Sequence, residues 1–304
     1  MVIWVTGNSG GIGENLIPGL ESKENTVIGF SRSFTINADV CYSVDLSAVD
    51  SIHVLQGAVS EYGAPDVVFH LAALQPTSGR QDVDYLNSNV ASTVNLFYVL
   101  QGGPLKHFIY TSTQRVYGDT PFAFYTEEVV PHPTTMYGLT KLWAENLIFH
   151  QKDYLYFRNT CFTVLRLPSI YGAGGDSFLD GIAKTAISGE DIVLFGKGER
   201  IIDLLHIDDV VLLLSRFIGE TPRPGYSLFN LGCGQRLTTY HVVQALVDSL
   251  SSSSKIVLSE VKMSKGRESG YADIVLARRV LGFSPTPFKE SIKRYADELL
   301  AKQR

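Results

Sequence analysis

The stretch VTGNSGGIGENL, residues 5 to 16, decides the fold class of this 304-residue chain. Its glycines Gly7, Gly10 and Gly13 follow an apolar run at residues 2–6 and precede a run with helical character. A strand, a glycine-rich turn and a helix in this order are typical of dinucleotide-binding proteins. Gly7 is then expected to make the tight turn, Gly10 to let the backbone approach a pyrophosphate, and Gly13 to let the helix pack closely. A plain turn is the alternative, which the flanking strand and helix disfavour.

The first half of the chain alternates β-rich runs with amphipathic runs of helical length. This rhythm predicts βαβ units and an α/β fold with a doubly wound parallel sheet of Rossmann type. The predicted strands cover residues 2–6, 26–30, 66–71, 107–112 and 162–167, and the predicted helices cover residues 11–22, 47–61, 86–101 and 137–150. We expect a dinucleotide-binding domain at residues 1–168, with a returning segment at about 200–232, and mainly a smaller substrate-binding cap at residues 169–304.

Composition argues against several classes of partner and site. The net charge of -5 comes from interspersed charges without a basic stripe, so nucleic acid is not an expected partner. Cys41, Cys161 and Cys233 lie far apart, which predicts no metal site and a reducing compartment. No apolar run approaches the roughly 18 residues of a membrane span. Because residues 2–6 already resemble a strand, we expect no signal peptide and a cytoplasmic location.

The end of the second predicted strand bears on the choice of coenzyme. An acidic residue there would accept hydrogen bonds from the adenosine ribose of NAD, but this chain has Ser31, Arg32 and Ser33. Hydroxyl groups and a guanidinium suit a 2′-phosphate, so NADP is expected ahead of NAD, unless Arg32 is simply a solvated loop residue. Asp45 follows the next apolar run and suits either the adenine amino group or a helix N-cap.

Two further motifs, TSTQRVYGD at residues 111–119 and MYGLTKLWAENL at residues 136–147, carry groups suited to proton transfer. Tyr137 and Lys141 are four residues apart and would share one helix face. An ammonium beside a phenol favours the phenolate, which would lower the tyrosine pKa towards the range of a general acid/base. Thr113 ends a predicted strand, where its hydroxyl suits a substrate carbonyl or alkoxide. The alternative is that Tyr137 and Lys141 form a chance pair on a surface helix, with the tyrosine in the core. The glycine-rich turn and the strand that ends in Thr113 disfavour this alternative.

Together these motifs resemble the extended short-chain dehydrogenase/reductases, a group of NAD(P)-dependent sugar epimerases, dehydratases and reductases. The resemblance covers most of the chain and includes TGNSGGIG, DVVFHLAA, NVASTVNL, TSTQRVYG, TEEVVPHPTTMYGLTKLWAE, RLPSIYG, GKGERIIDLLHIDDVV, FNLGCG and ARRVLGFSP. It implies hydride transfer between a sugar carbon and nicotinamide C4. It also implies that Tyr137 is the acid/base, that Lys141 orients the nicotinamide ribose, and that Thr113 fills the Ser/Thr position four residues before Tyr117.

The resemblance and the glycine loop together imply a set of binding residues. For the coenzyme these are Gly7, Asn8, Ser9, Gly10, Gly11, Ile12, Gly13, Ser31, Arg32, Asp45, Leu46, Leu71, Ala72, Ala73, Gln75, Asn89, Thr111, Tyr137, Lys141 and Pro168. For the substrate they are Thr77, Ser112, Thr113, Ser169, Arg200 and Arg267.

Departures from the family pattern concern the phosphate side of the substrate. Ser169 stands where nucleotide-sugar members commonly have asparagine, and Ile202 stands where they tend to have an arginine that grips the diphosphate. Arg200 lies two residues earlier and on a strand would share the face of Ile202. Arg267 resembles a shortened form of another phosphate-contacting arginine. Both arginines are equally compatible with a surface position. The resemblance makes a nucleotide sugar the leading substrate class, and the two departures remove groups on its phosphate side.

The predicted reaction rests on the coenzyme and on two residues after Thr113. Gln114 and Arg115 replace the Asp-Glu pair of the dehydratases, so dehydration is not expected. The main prediction is a reductase that uses NADPH to reduce the 4-keto group of a nucleotide-linked sugar. The alternative is a nucleotide-sugar 4-epimerase with tightly bound NAD. A non-catalytic NADP-sensing protein is a third hypothesis, which the proton-transfer residues disfavour. A homodimer through the helix of Tyr137 is compatible with the family, but the sequence leaves oligomeric state open.

Overall fold

A computed structural model of the chain describes residues 1–76, 80–118, 124–172, 177–219, 223–260 and 270–302. Its strands are β1 (Val2–Thr6), β2 (Thr26–Ser31), β3 (Val40–Ser43), β4 (Val67–His70), β5 (His107–Thr113), β6 (Phe124–Tyr125), β7 (Cys161–Leu167), β8 (Ser169–Tyr171), β9 (Ile192–Phe195), β10 (Ile201–Ile202), β11 (Leu204–His206), β12 (Gly225–Asn230), β13 (Leu237–Thr238), β14 (Ile256–Ser259) and β15 (Tyr271–Ala272). Its helices are α1 (Gly11–Leu16), α2 (Ser51–Tyr62), α3 (Asp82–Tyr85), α4 (Ser92–Leu100), α5 (Met136–Gln151), α6 (Phe178–Ser188), α7 (Ile207–Arg216), α8 (Thr239–Ser249), α9 (Val275–Leu281) and α10 (Phe288–Ala301).

The chain forms two compact units, each built from segments that are separated in the sequence. The first unit comprises Met1–Gly118, Pro131–Arg166 and Val211–Phe229. The second comprises Asp119–Val130, Leu167–Val210 and Asn230–Arg304.

The first unit is organised around a seven-stranded sheet in the order β12-β7-β5-β4-β1-β2-β3. Strand β1 pairs in parallel with β2 and β4, and parallel pairing continues from β2 to β3 and from β4 to β5. The chain therefore winds outwards from β1 in both directions, and the order reverses between β1 and β4. This is the predicted doubly wound Rossmann-type sheet, and the reversal is where such folds bind ligands.

The central strands of this sheet are buried along their whole length because helices cover both faces of a parallel sheet. Every residue of β5 and β7 is buried. Trp4, Phe30, Phe108 and Phe162 lie in one apolar core with side chains from α2, α4 and α5. The predicted strand bounds agree with the structure to within about one residue, since burial on both faces leaves little ambiguity about where each run ends.

Three predicted helices differ from those observed, and the one predicted at residues 47–61 begins only at Ser51. The helix predicted at residues 11–22 ends at Leu16 and continues as a 3₁₀ turn, Ile17–Gly19, because Pro18 cannot donate a backbone hydrogen bond. The helix predicted at residues 86–101 is instead α3, a π-helical segment Leu86–Ala91, and α4. Hydrophobic periodicity does not distinguish a π-helical turn from an α-helical one, although such turns are common at functional sites.

The second unit has its own apolar core, which α6, α8 and α10 build with β8 to β11. Short strand pairs complete it: β8 with β11, β9 with β14 and β6 with β15 in parallel, and β10 with β13 antiparallel. The Asp203 carboxylate ties the loops together, accepting hydrogen bonds from the backbone N–H groups of Cys233 at 3.1 Å and Ala272 at 3.0 Å. Across the part of the chain that the structure describes, no helix has the length and apolarity to cross a bilayer.

Candidate active site

The glycine loop between β1 and α1 contains two positions that exclude a side chain. Gly7 has φ +75°, and a Cβ there would lie 2.8 Å from the backbone nitrogen of Ala72. A Cβ at Gly13 would overlap the carbonyl oxygen of Gly7 and the backbone of Asn8. Gly7 thus makes the tight turn after β1, and Gly13 lets the first turn of α1 fold back onto that loop.

The loop fits the pyrophosphate of a dinucleotide. Gly10 occupies the N-cap position of α1 in an extended conformation, and no side chain caps the helix. Its own N–H donates to the Gly7 carbonyl at 3.0 Å, which leaves the following N–H groups of Gly11 and Ile12 at the helix start. Uncapped N–H groups at a helix N-terminus suit an anion. Gly10 to Gly13, with Ser9 beside them, are therefore the residues that would hold the phosphates.

The adenosine side of the predicted coenzyme site differs from the expectation in two details. Ser31 is buried at the end of β2 and its hydroxyl donates to the Ser33 carbonyl at 2.7 Å, while Arg32 is exposed. The Asp45 carboxylate accepts from the N–H of Ser47 at 3.0 Å and from its hydroxyl at 2.6 Å. Since Asp50 occupies the N-cap position of α2, the helix-cap alternative for Asp45 is wrong.

Leu46, the neighbour of Asp45, is only 5% exposed and its side chain packs in the core of the first unit. Its carbonyl accepts hydrogen bonds from Ser51 on α2 and from Asn95 on α4. The backbone at this position is therefore held firmly by two helices.

The structure brings Tyr137, Thr113 and Gln75 together. Tyr137 lies on the first turn of α5, and its hydroxyl is hydrogen-bonded to the side chains of Thr113 and Gln75. Thr113 ends β5, and its hydroxyl also accepts from the N–H of Arg115 at 3.3 Å. The ring of Tyr85 lies edge-on to that of Tyr137 with 6.4 Å between centroids. A phenol, a hydroxyl and an amide thus meet where β4 and β5 end.

The electrostatic environment of Tyr137 differs from the sequence-based expectation. Burial raises the pKa of the Tyr137 phenol to about 12, while the Arg115 charge and the hydrogen bonds from Thr113 and Gln75 act to lower it. Burial also lowers the pKa of Lys141 to about 7, against the opposing effect of Glu145. The expectation that the Lys141 ammonium would lower the tyrosine pKa is therefore not met, because this amine is itself only partly charged near neutrality.

Lys141 lies one helical turn after Tyr137 and is 1% exposed. Its Nζ atom lies over the ring of Tyr110 on β5, 4.0 Å from the centroid, which is a cation–π geometry. The negative charge of Glu145, a further turn along α5, also favours the ammonium form. Lys141 is thus held between β5 and α5 rather than on the protein surface.

A buried histidine links the glycine-loop strand to the helical layer. His70 Nδ1 is 2.8 Å from the Thr6 hydroxyl, and His70 Nε2 is 2.9 Å from the Thr93 hydroxyl. Because Thr93 donates to the Asn89 carbonyl at 3.1 Å, it must accept from Nε2–H, so Thr6 donates to Nδ1. The same Thr6 oxygen accepts from the N–H of Ala72 at 3.2 Å. Burial, with the Lys141 charge, lowers the His70 pKa to about 3, which keeps the ring neutral.

Asn89 lies in the π-helical segment and connects the loop after β4 to α5. Its side-chain oxygen accepts from the N–H of Leu74 at 2.7 Å, and its amide nitrogen donates to the Thr140 hydroxyl at 3.1 Å. Thr140 in turn donates to the Tyr137 carbonyl at 3.0 Å. Asn89 therefore positions the loop after β4, which contains the predicted coenzyme residues Leu71, Ala72, Ala73 and Gln75, together with the turn that carries Tyr137.

The remaining predicted residues are placed as follows. Thr111 and Ser112 are buried on β5, and the Ser112 hydroxyl donates to Glu145, which directs it into the protein interior. Pro168, Ser169 and Arg200 belong to the second unit. Because β10 begins only at Ile201, Arg200 is not in the strand that was expected to carry it, and its carbonyl accepts from Thr239. Thr77 and Arg267 lie outside the described residues.

Sequence reasoning gave no role to two buried charged residues, Glu145 and Arg166. The Arg166 guanidinium contacts the Glu145 carboxylate through two hydrogen bonds of 3.1 and 2.6 Å, and both side chains are nearly inaccessible to solvent. The available signal was a carboxylate one turn after Lys141 together with an arginine inside an otherwise apolar strand, FTVLRL at residues 162–167.

The comparison that decides the family is with a family model. Residues 3–232 match the NAD dependent epimerase/dehydratase family. The chain belongs to this family. It is an NAD(P)-dependent enzyme of the extended short-chain dehydrogenase/reductase group, as the motifs implied.

Similar proteins include a UDP-glucose 4-epimerase of Mycolicibacterium smegmatis, which is 27% identical over 92% of this chain and 92% of that protein. Among solved structures, MoeE5 in complex with UDP-glucuronic acid and NAD has a TM-score of 0.85 at 25% identity, covering 99% of this chain and 100% of that one. The UDP-glucose 4-epimerase of Thermotoga maritima, solved with UDP-glucose, has a TM-score of 0.87 at 24% identity, with both chains covered completely, and supports the fold.

Proposed function

We propose that this protein is a nucleotide-sugar 4-epimerase that retains NAD between turnovers. The observation that carries the proposal is the hydrogen-bonded group of Tyr137, Thr113 and Gln75 in the same unit as an uncapped glycine loop. The similarity of the chain to a UDP-glucose 4-epimerase and to MoeE5 with NAD supports the epimerase. The sequence had given the epimerase as the alternative and the reductase as the main prediction.

The proposed chemistry uses Tyr137 as the acid/base for the C4 hydroxyl of the sugar. When bound, the nicotinamide ring would accept a hydride from the sugar carbon C4 and give it back. The single hydroxyl proton of Thr113 can be donated either to the Tyr137 oxygen or to the C4 oxygen of the substrate, so that it stabilises whichever of the two carries negative charge. Lys141 provides positive charge one turn away, and Asn89 holds this turn through Thr140. In its phenolate form Tyr137 takes the hydroxyl proton as the keto sugar forms, and the resulting phenol returns the proton to the C4 oxygen after the keto sugar has rotated.

Coenzyme choice follows from the end of β2. The Ser31 hydroxyl is occupied as a donor to the Ser33 carbonyl and is buried, so it is poorly placed to donate to a 2′-phosphate. This supports NAD over the predicted NADP. Gly10 to Gly13 would hold the pyrophosphate, and residues 71–75 with Asn89 would line the remainder of the coenzyme. Pro168, Ser169 and Arg200 belong to the second unit, which we propose to be the substrate-binding cap.

The decisive experiment asks whether purified protein interconverts sugar nucleotides without added coenzyme. UDP-glucose, UDP-glucuronic acid and UDP-N-acetylglucosamine are incubated with the enzyme, and the C4 configuration is followed by proton NMR. Coenzyme released by denaturation is identified by mass. We expect a pair of C4 epimers, bound NAD and no net change in its redox state.

Tyr137→Phe is the matched test of the acid/base assignment. Loss of a positioned proton-transfer group costs roughly 10²- to 10⁴-fold in rate, so we expect kcat to fall by at least about 100-fold with the coenzyme still bound. Tyr154→Phe, at an exposed tyrosine in the same unit, is the control and should behave as the unmodified protein. Full activity in Tyr137→Phe would contradict the assignment of Tyr137 as the acid/base.

The second candidate is the NADPH-dependent 4-ketoreductase, which the exposed Arg32 at the end of β2 favours. A guanidinium there suits a 2′-phosphate. Oxidation of NADPH that depends on an added 4-keto sugar nucleotide, and that weakens in Arg32→Gln, would establish the reductase in place of the epimerase.

A further inference from the structure

The buried ion pair of Glu145 on α5 and Arg166 on β7 lies next to two parts of the proposed catalytic group: the strand that ends in Thr113 and the helix that carries Lys141. Glu145 accepts from the Ser112 hydroxyl, and Ser112 is the residue before Thr113 on β5. Glu145 also lies four residues after Lys141, on the same face of α5. One carboxylate thus contacts the strand of Thr113 and faces the helix position of the lysine.

Arg166 completes this arrangement from the neighbouring strand. Its Nε and Nη2 atoms donate to the two oxygens of Glu145 at 3.1 and 2.6 Å, and its guanidinium carbon lies 4.8 Å from the centroid of the Tyr117 ring. The bidentate geometry fixes the carboxylate plane as well as its position. Side chains of β5, β7 and α5 are therefore held in one orientation.

We propose that the Glu145–Arg166 pair is a positioning element of the active site, which holds the Thr113 end of β5 and fixes a carboxylate one turn after Lys141 on α5. The proposal rests on the proposed function only in assigning catalysis to Thr113, Tyr137 and Lys141. Neither Glu145 nor Arg166 is assigned contact with substrate or coenzyme.

The groups around Lys141 show why Glu145 has this influence. From β4, His70 is neutral, and from β5 the Tyr110 ring faces Nζ with a phenol whose pKa burial raises. On α5, Tyr137 is also a protonated phenol near neutrality. Glu145 is therefore the anionic side chain beside Lys141 among the described residues, and Arg166 from β7 determines where its charge lies.

The test measures the titration of Lys141 directly. The protein is expressed with [6-¹³C]lysine and studied as purified. The NMR signal of Lys141 is assigned as the one that disappears in Lys141→Met. Replacing Glu145 by glutamine removes the negative charge with little change in shape. We expect the midpoint of the Lys141 titration to move to lower pH by about one unit, the size typical of a close opposite charge.

A second variant addresses folding, because a lone buried guanidinium is strongly destabilising whereas removal of both charges is often tolerated. In Glu145→Gln/Arg166→Met the titration should also move to lower pH, since Glu145 rather than Arg166 favours the ammonium. Asp66→Asn breaks the Lys106–Asp66 pair of 2.8 Å in the same unit and should leave the Lys141 titration unchanged.

An unchanged Lys141 titration in both Glu145 variants would overturn the inference. The pH dependence of kcat should move with the titration if the epimerase proposal is also right. If the Lys141 titration shifts in the Glu145 variants but the unmodified protein has no epimerase activity, the inference about Glu145 and Arg166 stands and the proposed function is rejected. The failure of one proposal can therefore be told from the failure of the other.

Discussion

At the scale of single residues, Arg115 has an influence that its sequence context did not indicate. It marks a departure from the dehydratases, but in the structure its charge lowers the Tyr137 pKa against the effect of burial. In Arg115→Met the phenol should ionise less readily, so the limb of the pH–rate profile that rises as the phenolate forms should move to higher pH. A shift of one pKa unit reduces the phenolate fraction at pH 7 by about tenfold, and kcat/KM at that pH should fall similarly.

Arg115→Lys keeps the charge and should recover most of this loss, whereas Arg158→Met at an exposed position should have no effect. The measurement is kcat/KM from pH 6 to 10 for all three variants. Superimposable profiles for Arg115→Met and the unmodified enzyme would show that the Arg115 charge does not act on Tyr137.

At the scale of elements, the sequence predicted the strands of the sheet well and the helices around the site less well. Runs such as HFIYTST and CFTVLRL are buried on both faces, so composition alone indicates them. The π-helical segment Leu86–Ala91 was predicted as α-helix, because hydrophobic periodicity does not distinguish the two kinds of helix. The hydrogen bonds that give this segment its place are equally absent from the local sequence pattern. Asn89 makes these bonds to Leu74 and Thr140, and no spacing in the sequence encodes them.

The same argument applies to the charges within the site. The four-residue spacing of Tyr137 and Lys141 placed both on one helix face, but their protonation depends on burial between strands that are distant in sequence. Glu145, Arg166 and Gln75 acquire their positions only when β4, β5 and β7 are brought side by side. Local sequence patterns therefore identify the reacting groups and leave out the groups that adjust their pKa values.

Asn89 provides the test at this scale. Asn89→Ala leaves buried groups of Leu74 and Thr140 without their partner, and each such loss costs about 1–3 kcal/mol. We expect the free energy of unfolding to fall by about 2–6 kcal/mol and the bound coenzyme to be released more readily. Urea denaturation and coenzyme retention on gel filtration measure the two effects.

Thr160→Ala is the matched control, because it removes a buried hydrogen bond of 2.8 Å to the Leu105 carbonyl at the opposite edge of the same unit. It should reduce stability and leave coenzyme retention intact. Equal coenzyme loss in both variants would mean that Asn89 acts through general stability alone.

At the scale of the whole molecule, two buried histidines should make the first unit sensitive to acid. Burial lowers the pKa of His70 to about 3, with a contribution from the Lys141 charge, and lowers that of His107 to about 4. In the unfolded chain both should titrate near 6.5. Between these values the unfolded state binds more protons than the folded state, so stability is retained above about pH 6.5 and lost as the pH falls towards 4.

The expected slope follows from the number of protons. Near pH 5 the unfolded state holds about two more protons on these histidines, which corresponds to a loss of about 2.7 kcal/mol per pH unit. Both tryptophans of the chain, Trp4 and Trp143, belong to the first unit, so their fluorescence during urea denaturation reports the unfolding of that unit. His107→Gln retains a group that can hydrogen-bond to Thr163 and should reduce the slope by about half. His53→Gln, at an exposed position on α2, should leave the slope as it is, and a slope that His107→Gln does not change would assign the acid sensitivity to other groups.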